Sequence, residues 1–125
     1  MEINTYKQVI DMSAIMKQIK SIPAWREILE QSKQSPQIIF KFSATCVVSP
    51  PAHKQMSAFM KKSDVPVHLV IVQTDRAVSD AIEADLGVRH ESPQVLILSG
   101  GRAVWQATHY KIKERDIRKA IKLYA

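Results

Sequence analysis

The run VPVHLVIV, residues 65–72, constrains the fold more than any other part of this sequence. Six of its eight residues are apolar and five are β-branched, so it favours extended backbone. A strand with one solvent-exposed face alternates apolar and polar residues, whereas this run is apolar almost throughout. We therefore expect a strand that is covered on both faces, as in a parallel sheet flanked by helices.

Strand and helix patterns alternate on either side of this run. The segment QIIFKF, residues 37–42, is apolar and aromatic between Pro36 and Ser43, and we expect it to be a second buried strand. A helix is expected before it, since Ser21 can cap a helix and Pro23 suits a first helical turn.

Two more helices are expected on either side of the 65–72 strand. Before it, apolar residues recur with the spacing of a helix that packs on a sheet, at Ala52, Met56, Phe59 and Met60. After it, Thr74 or Asp75 can cap a helix that Gly87 closes.

The last third of the chain predicts a hairpin and a terminal helix. Residues 94–98, QVLIL, have a strand pattern, and Gly100-Gly101 suits a turn with positive φ before residues 102–108 pair back antiparallel. A final helix is expected, with Ile112, Ile117, Ala120, Ile121 and Tyr124 on one face. The leading segment is expected to be a helix, or a helix followed by a short strand. After it, the order β-α-β-α-β-β-α predicts an α/β fold with a mixed central sheet of four to five strands flanked by helices.

Length and composition indicate one domain in the cytoplasm. The chain has 125 residues, 46% of them hydrophobic, which is enough for a single core. Its one cysteine cannot form an internal disulfide, and the first residues lack the pattern of a secretory leader. The apolar runs are shorter than the roughly 20 residues that span a bilayer, so we expect no membrane partner.

The basic charge is concentrated near the C-terminus. The net charge is +6, and six lysines and arginines lie between residues 111 and 122. This excess suits an anionic partner, but we interpret it first as the solvated basic face of a terminal amphipathic helix. Nucleic acid is not expected, because the aromatic or arginine-rich interleaving of a nucleic-acid module is absent from the sequence.

The chemistry centres on Cys46, which lies between the 37–42 strand and the next predicted helix. In an α/β chain this is the place of C-x-x-C in redox sites, but here the segment reads C-V-V-S, with Ser49 where a resolving thiol would stand. A free cysteine can also be an inert buried residue. A second signal is Ser92-Pro93 before the 94–98 strand, either an ordinary trans turn or the cis proline of thioredoxin-like folds.

Three segments in this order resemble the YtxJ-like family, the monothiol bacilliredoxins. They are KFSATCVVS around Cys46, GVRHESPQ before the third strand, and GGRAVWQATHYKI in the hairpin and its exit. The resemblance covers residues 16–124. It implies a thioredoxin-like domain over residues 16–125, preceded by an N-terminal extension over residues 1–15.

The resemblance also implies a mechanism and its residues. Cys46 would be the nucleophile, Pro93 a cis proline, and Thr45 and Ser92 its neighbours at the substrate. No bound cofactor is implied, and bacillithiol, a thiol built from cysteine, glucosamine and malate, would be the co-substrate. The partners would be bacillithiolated client proteins and a flavoprotein disulfide reductase that recycles oxidised bacillithiol. Possible supporting residues are Lys41, Ser49 and Trp105.

One departure from the family concerns Val47, which stands where the family usually has proline. Either Ser49 caps a helix that starts at Pro50, or the helix starts at Val47 and Cys46 lies at its tip. A helix dipole alone shifts a thiol pKa by less than about one unit. A moderately lowered pKa of Cys46 therefore requires a further donor or cation, for which Lys41 and Thr45 are the candidates.

Two other classes of function stay open at this point. One is a carrier of iron-sulfur clusters that uses Cys46 and a small thiol across a dimer. The other is a non-catalytic binding module that uses the basic terminal helix. A metal site of histidines is not expected, because the four histidines show no ligand spacing.

Overall fold

The computed structural model describes residues 16–45 and 49–125. Within them the strands are β1 (Lys17–Gln18), β2 (Gln37–Phe42), β3 (Val67–Ile71), β4 (Gln94–Ser99) and β5 (Arg102–Thr108). The helices are α1 (Ile22–Gln31), α2 (Ser49–Met60), α3 (Arg76–Leu86) and α4 (Glu114–Tyr124), with a 3₁₀ helix at His109–Lys111. Residues 1–15, the predicted extension, and residues 46–48, with Cys46 and Val47, lie outside the described residues. The domain boundary at residue 16 therefore stays a prediction.

The strands form one mixed sheet in the order β1-β3-β2-β4-β5. Strands β1, β3 and β2 run parallel, β4 pairs antiparallel with β2, and β5 pairs antiparallel with β4. This confirms the predicted α/β architecture with its mixed sheet. Strand β1 comes from the leading segment, whose apolar residues keep to no single helical face.

The strand expected to be covered on both faces is confirmed as β3, in which four of five residues are buried. Val67 and Leu69 belong to the cluster that includes Met56 of α2, and Val70 belongs to the cluster that includes Ile82 of α3. The apolar run is thus accounted for by two cores, one on each face of the sheet.

The ends of the helices follow the predicted capping residues, with one difference. Ser21 Oγ accepts a hydrogen bond from the Ala24 amide at 3.2 Å, and Gly87 closes α3 in the left-handed conformation at φ 67°. Asp75 occupies the N-cap position of α3, but its side chain makes no capping bond there. Its carboxylate instead accepts from the side-chain amide of Gln18 at 2.8 Å, which joins β1 to the start of α3.

The predicted hairpin and terminal helix are present. Gly100 and Gly101 both have positive φ between the antiparallel strands β4 and β5. Ile117 and Ala120 are buried on α4, whereas Tyr124, which the sequence places on the same face, is 54% exposed. Among the described helices none is both long and apolar enough to cross a membrane.

The topology gathers four chain segments at one edge of the sheet. Lys41, near the end of β2, pairs with Val70 of β3 on one side and with Gln94, the first residue of β4, on the other. Gln94 pairs in turn with Thr108, the last residue of β5. The loops after β2 and β3, the segment before β4 and the exit from β5 therefore share this edge.

Candidate active site

A hydrogen bond joins Ser43 and Ser49, which lie on either side of Cys46 in the sequence. Ser49 is fully buried at the start of α2, and its Oγ accepts a hydrogen bond from the backbone N–H of Ser43 at 3.2 Å. The described residues of α2 begin at Ser49, so the choice between the two starting points that the sequence left open stays a prediction. Ser49 therefore ties the start of α2 to the residue that follows β2.

Gln73, just after β3, holds the residues that lead into Cys46. Its Nε2 donates to Ser43 Oγ at 2.7 Å and to Thr45 Oγ1 at 3.0 Å. Its Oε1 accepts from the Ala44 amide at 3.2 Å. Sequence reasoning missed Gln73, because nothing in its own segment distinguishes it from any other polar loop residue.

The segment before β4 brings Ser92 and Pro93 to the same edge of the sheet. The Ser92–Pro93 peptide bond is cis. The Pro93 carbonyl accepts the His109 amide at 3.0 Å, and His109 has the left-handed φ of 54° that non-glycine residues seldom adopt. Gln94 is fully buried, and its side-chain amide donates to the Arg89 carbonyl at 3.1 Å. The residues at Pro93 and Gln94 are therefore fixed by hydrogen bonds to His109 and to Arg89.

Lys41 is a fully buried cation at this edge. Its Nζ lies 3.3 Å from Nδ1 of His90, and the Oγ of buried Ser79 lies 3.0 Å from the same nitrogen. Burial lowers the pKa of Lys41 to about 8, although Glu83 and then Asp80 act in the opposite direction. Lys41 nevertheless stays mostly protonated at neutral pH.

His90 is the neutral partner of this ammonium group. Burial lowers the pKa of His90, and the charge of Lys41 lowers it further. An ammonium group can only donate, so Nδ1 accepts from Lys41 and the ring carries its proton on Nε2. The backbone N–H of His90 donates to the Glu83 carboxylate at 2.7 Å, which fixes the segment two residues before Ser92. Sequence reasoning had weighed His90 only as a metal ligand.

Trp105, a predicted supporting residue, lies elsewhere. It pairs with Ile97, three positions along β4 from Gln94, and lines a groove of about 680 Å³ between β5 and α4. Thr45, Ser92, Pro93 and Lys41 are not among the residues of that groove. The described structure therefore brings together Lys41, Thr45, Ser49 and the Ser92–Pro93 segment at one edge, and leaves Trp105 outside this group.

This arrangement defines a thioredoxin-fold protein, since a helix follows the central strand β2 after the segment that contains Cys46, and a cis proline directly precedes the antiparallel strand β4. Three solved structures have the same fold. One, described as a proposed oxidoreductase with a thioredoxin fold, matches with TM-score 0.78 and 29% identity over 87% of this chain and 96% of its own. Thioredoxins from Fasciola hepatica and Schistosoma mansoni match with TM-scores of 0.71 and 0.68, at 14% and 15% identity. The Fasciola hepatica match covers 88% of this chain and 100% of that thioredoxin, and the Schistosoma mansoni match covers 86% of this chain and 96% of that thioredoxin.

A family match narrows this class. Residues 17–117 match the family described as monothiol bacilliredoxin BrxC. The chain belongs to this family, and its fold and family are those of thiol oxidoreductases.

Proposed function

We propose that this protein removes bacillithiol from mixed disulfides on client proteins, with Cys46 as its single redox thiol. The observation that carries the proposal is the family match over residues 17–117, in a chain whose only cysteine is Cys46. Ser49, where a second thiol would stand in a dithiol enzyme, is buried and bonded to Ser43. A reaction that needs only one protein thiol fits this residue set.

The proposed reaction proceeds in two exchanges. The Cys46 thiolate attacks the bacillithiol sulfur of the mixed disulfide, the client thiolate leaves and takes a proton, and Cys46 is left in a disulfide with bacillithiol. The thiolate of a second bacillithiol then attacks that adduct, releasing Cys46 as a thiolate and bacillithiol as its own disulfide. A flavoprotein disulfide reductase returns this product to the thiol. Bacillithiol is the co-substrate of this reaction, which requires no resident cofactor.

The residues around the loop have distinct proposed roles. The backbone at Ser92 and Pro93 aligns the incoming disulfide, and Thr45 borders the substrate next to Cys46. The hydrogen bonds of Gln73 and Ser49 support these roles, because they restrain the loop on both sides of the thiol. A thiol exchanger of this kind belongs in a reducing compartment, which favours the cytoplasm.

The decisive experiment treats the reduced protein with bacillithiol disulfide and weighs it intact. We expect one adduct, with the mass of one bacillithiol less two hydrogens, and none on Cys46→Ser. The same variant should fold normally and fail to release bacillithiol from a bacillithiolated client. A wild-type protein that forms no adduct while its thiol still reacts with a small alkylating agent would identify a binding module instead.

A further inference from the structure

We propose that the groove between β5 and α4 is a docking surface for an extended acidic segment of a partner protein. The segment adds to the sheet beside β5 and brings its carboxylates to the basic side chains of the groove. Neither Thr45 nor the Ser92–Pro93 segment lines this groove. The inference therefore goes beyond the proposed exchange reaction, and it does not depend on the position of Cys46.

The first observation is that the groove gathers exposed apolar side chains. Among the described residues the large apolar side chains left in solvent are Tyr110, Leu123 and Tyr124, which are 66%, 62% and 54% exposed, and all three line the groove. Scattered apolar residues are ordinary on a protein surface, whereas a cluster with a polar rim is typical of an interaction site. The volume of about 680 Å³ lies in the range of clefts that bind ligands.

The second observation is that the rim of this cluster is basic. Among the described residues that line the groove, Asp116 is the one acidic side chain, and four are cationic, namely Lys111, Lys113, Arg115 and Lys119. None of the ion pairs between described residues uses any of these five, whereas Arg118 on the same helix pairs with Glu114 at 3.2 Å. Much of the positive charge near the C-terminus is thus unpaired in the groove, and an acidic partner complements it.

The third observation is that the groove follows a free edge of the sheet. In the described part of the chain, β5 is the last strand of the sheet and pairs with β4 alone. Trp105, Gln106 and Ala107 are consecutive in β5, and all three line the groove. Successive side chains of a strand point to opposite faces, so a groove that touches three in a row runs along the edge. Such an edge presents backbone N–H and C=O groups that can pair with an added strand, which favours an extended occupant.

Two other occupants fit the groove less well. A second copy of the chain would bring the same cationic side chains against each other, and each copy has a net charge of +6. Residues 1–15 carry Glu2 and Asp11 against Lys7, so they supply little negative charge. They precede β1, which lies at the edge of the sheet opposite to β5.

The test titrates the full chain into a fluorescein-labelled peptide of the same length as β5, in which glutamate alternates with valine and phenylalanine, and follows the anisotropy. We expect saturable binding to the wild type and roughly tenfold weaker binding to Lys111→Glu/Lys119→Glu. Lys20→Glu/Lys61→Glu makes the same change in net charge at two exposed positions outside the groove, and should weaken binding less than about twofold.

A second pair of probes tests the strand pairing on the wild-type protein. The same peptide is methylated on its odd-numbered or on its even-numbered backbone nitrogens, which keeps its charge and side chains but blocks one of its two edges. At least one of the methylated peptides should bind roughly tenfold more weakly. This measurement decides the question even if Lys111→Glu/Lys119→Glu does not fold, as judged by circular dichroism.

Several results would overturn the proposal. They are no binding to the wild type, an equal loss of affinity in both double variants, and full affinity of both methylated peptides. A single-stranded oligonucleotide of equal charge that competes as well as the peptide would make the groove a nucleic-acid site. Displacement by a synthetic peptide of residues 1–15, or a wild-type dimer that Lys111→Glu/Lys119→Glu dissociates, would assign the groove to the chain itself. The probes contain no sulfur, so these outcomes are independent of thiol exchange.

Discussion

The side-chain amide of Gln73 donates to Ser43 Oγ at 2.7 Å, across 30 residues of sequence. With its further bonds to Ala44 and Thr45, one exposed glutamine restrains every described residue between β2 and Cys46. The order of the loop before the thiol thus depends on the neighbouring parallel strand, and not on the loop alone.

Replacing Gln73 by alanine is expected to slow thiol exchange without unfolding the protein. Each net hydrogen bond is worth about 0.5–1.5 kcal/mol, so a loosened loop should lower the exchange rate about three- to tenfold. The free energy of unfolding should change by less than about 1 kcal/mol, because the side chain is exposed. Rates of adduct formation and urea unfolding curves measure the two quantities. Gln34→Ala, at an exposed position after α1, is the control, and an equal loss of rate in both variants would contradict the assignment.

Ser49→Ala is expected to destabilise the fold. The change removes a buried acceptor and leaves the Ser43 N–H without the partner seen here, which should lower the free energy of unfolding by about 1–2 kcal/mol. Urea unfolding of the variant and the wild type gives the difference directly. Ser57→Ala, in the middle of the same helix, is the matched control, and a smaller loss at Ser49 than at Ser57 would argue against a structural role for the Ser43–Ser49 bond.

Lys41 is expected to make stability rise with pH on the alkaline side. Its folded pKa of about 8 lies below the ordinary value of 10.5, so the unfolded chain binds more protons between these limits. Stability is therefore gained as pH rises from about 8 to 10.5, by up to about 3 kcal/mol. Urea unfolding at pH 7 and 10 should show this gain in Cys46→Ser, where the thiol no longer titrates. Adding Lys41→Met should remove it; a gain that persists in the double variant would place its origin elsewhere.

Glu114 is expected to stabilise the contact between α2 and α4. Its carboxylate accepts from Lys62 at 2.9 Å and pairs with Arg118, and its backbone N–H donates to Gln55. The hydrogen bond from Lys62 lowers the pKa of Glu114, with further contributions from the charge of Arg118, against a smaller opposing effect of burial. A lowered carboxyl pKa gives stability above the unfolded value of 4.5 that is lost as pH falls through the folded value.

The measurement is the melting temperature of Glu114→Gln across this pH range. The variant should melt below the wild type at pH 7, and the two curves should converge in acid. Lys62→Met should give a smaller further loss in the Glu114→Gln background than in the wild type, because the two residues share one contact. Fully additive losses would show that the pair does not interact in solution.

Most elements of the fold could be predicted because their signals are local. Strand β2 matches the predicted residues 37–42, and Gly87 and Gly100-Gly101 fall where a left-handed backbone was expected. A short strand in the leading segment was only one of two alternatives, and β1 could not be located from the sequence, since two residues carry no periodicity and pair only because β3 is already in place. The exposure of Tyr124 was equally hidden, because a helical pattern gives the residues of one face but not how far each of them is covered.

By itself the sequence determined the α/β class, the order of the elements and the choice of Cys46. The periodicity of apolar residues, the turn residues and the single cysteine can all be recognised in short contiguous stretches of the chain. Only the tertiary structure decided which polar groups support the loop around that thiol. The Gln73 bonds span 28 to 30 residues and the Lys41–His90 contact spans 49, and such pairs arise from strand order and register, which no local pattern specifies. The sequence identifies Lys41 only as a strand residue. Its strand lies between β3 and β4 in the folded protein, and there the lysine becomes a buried charge.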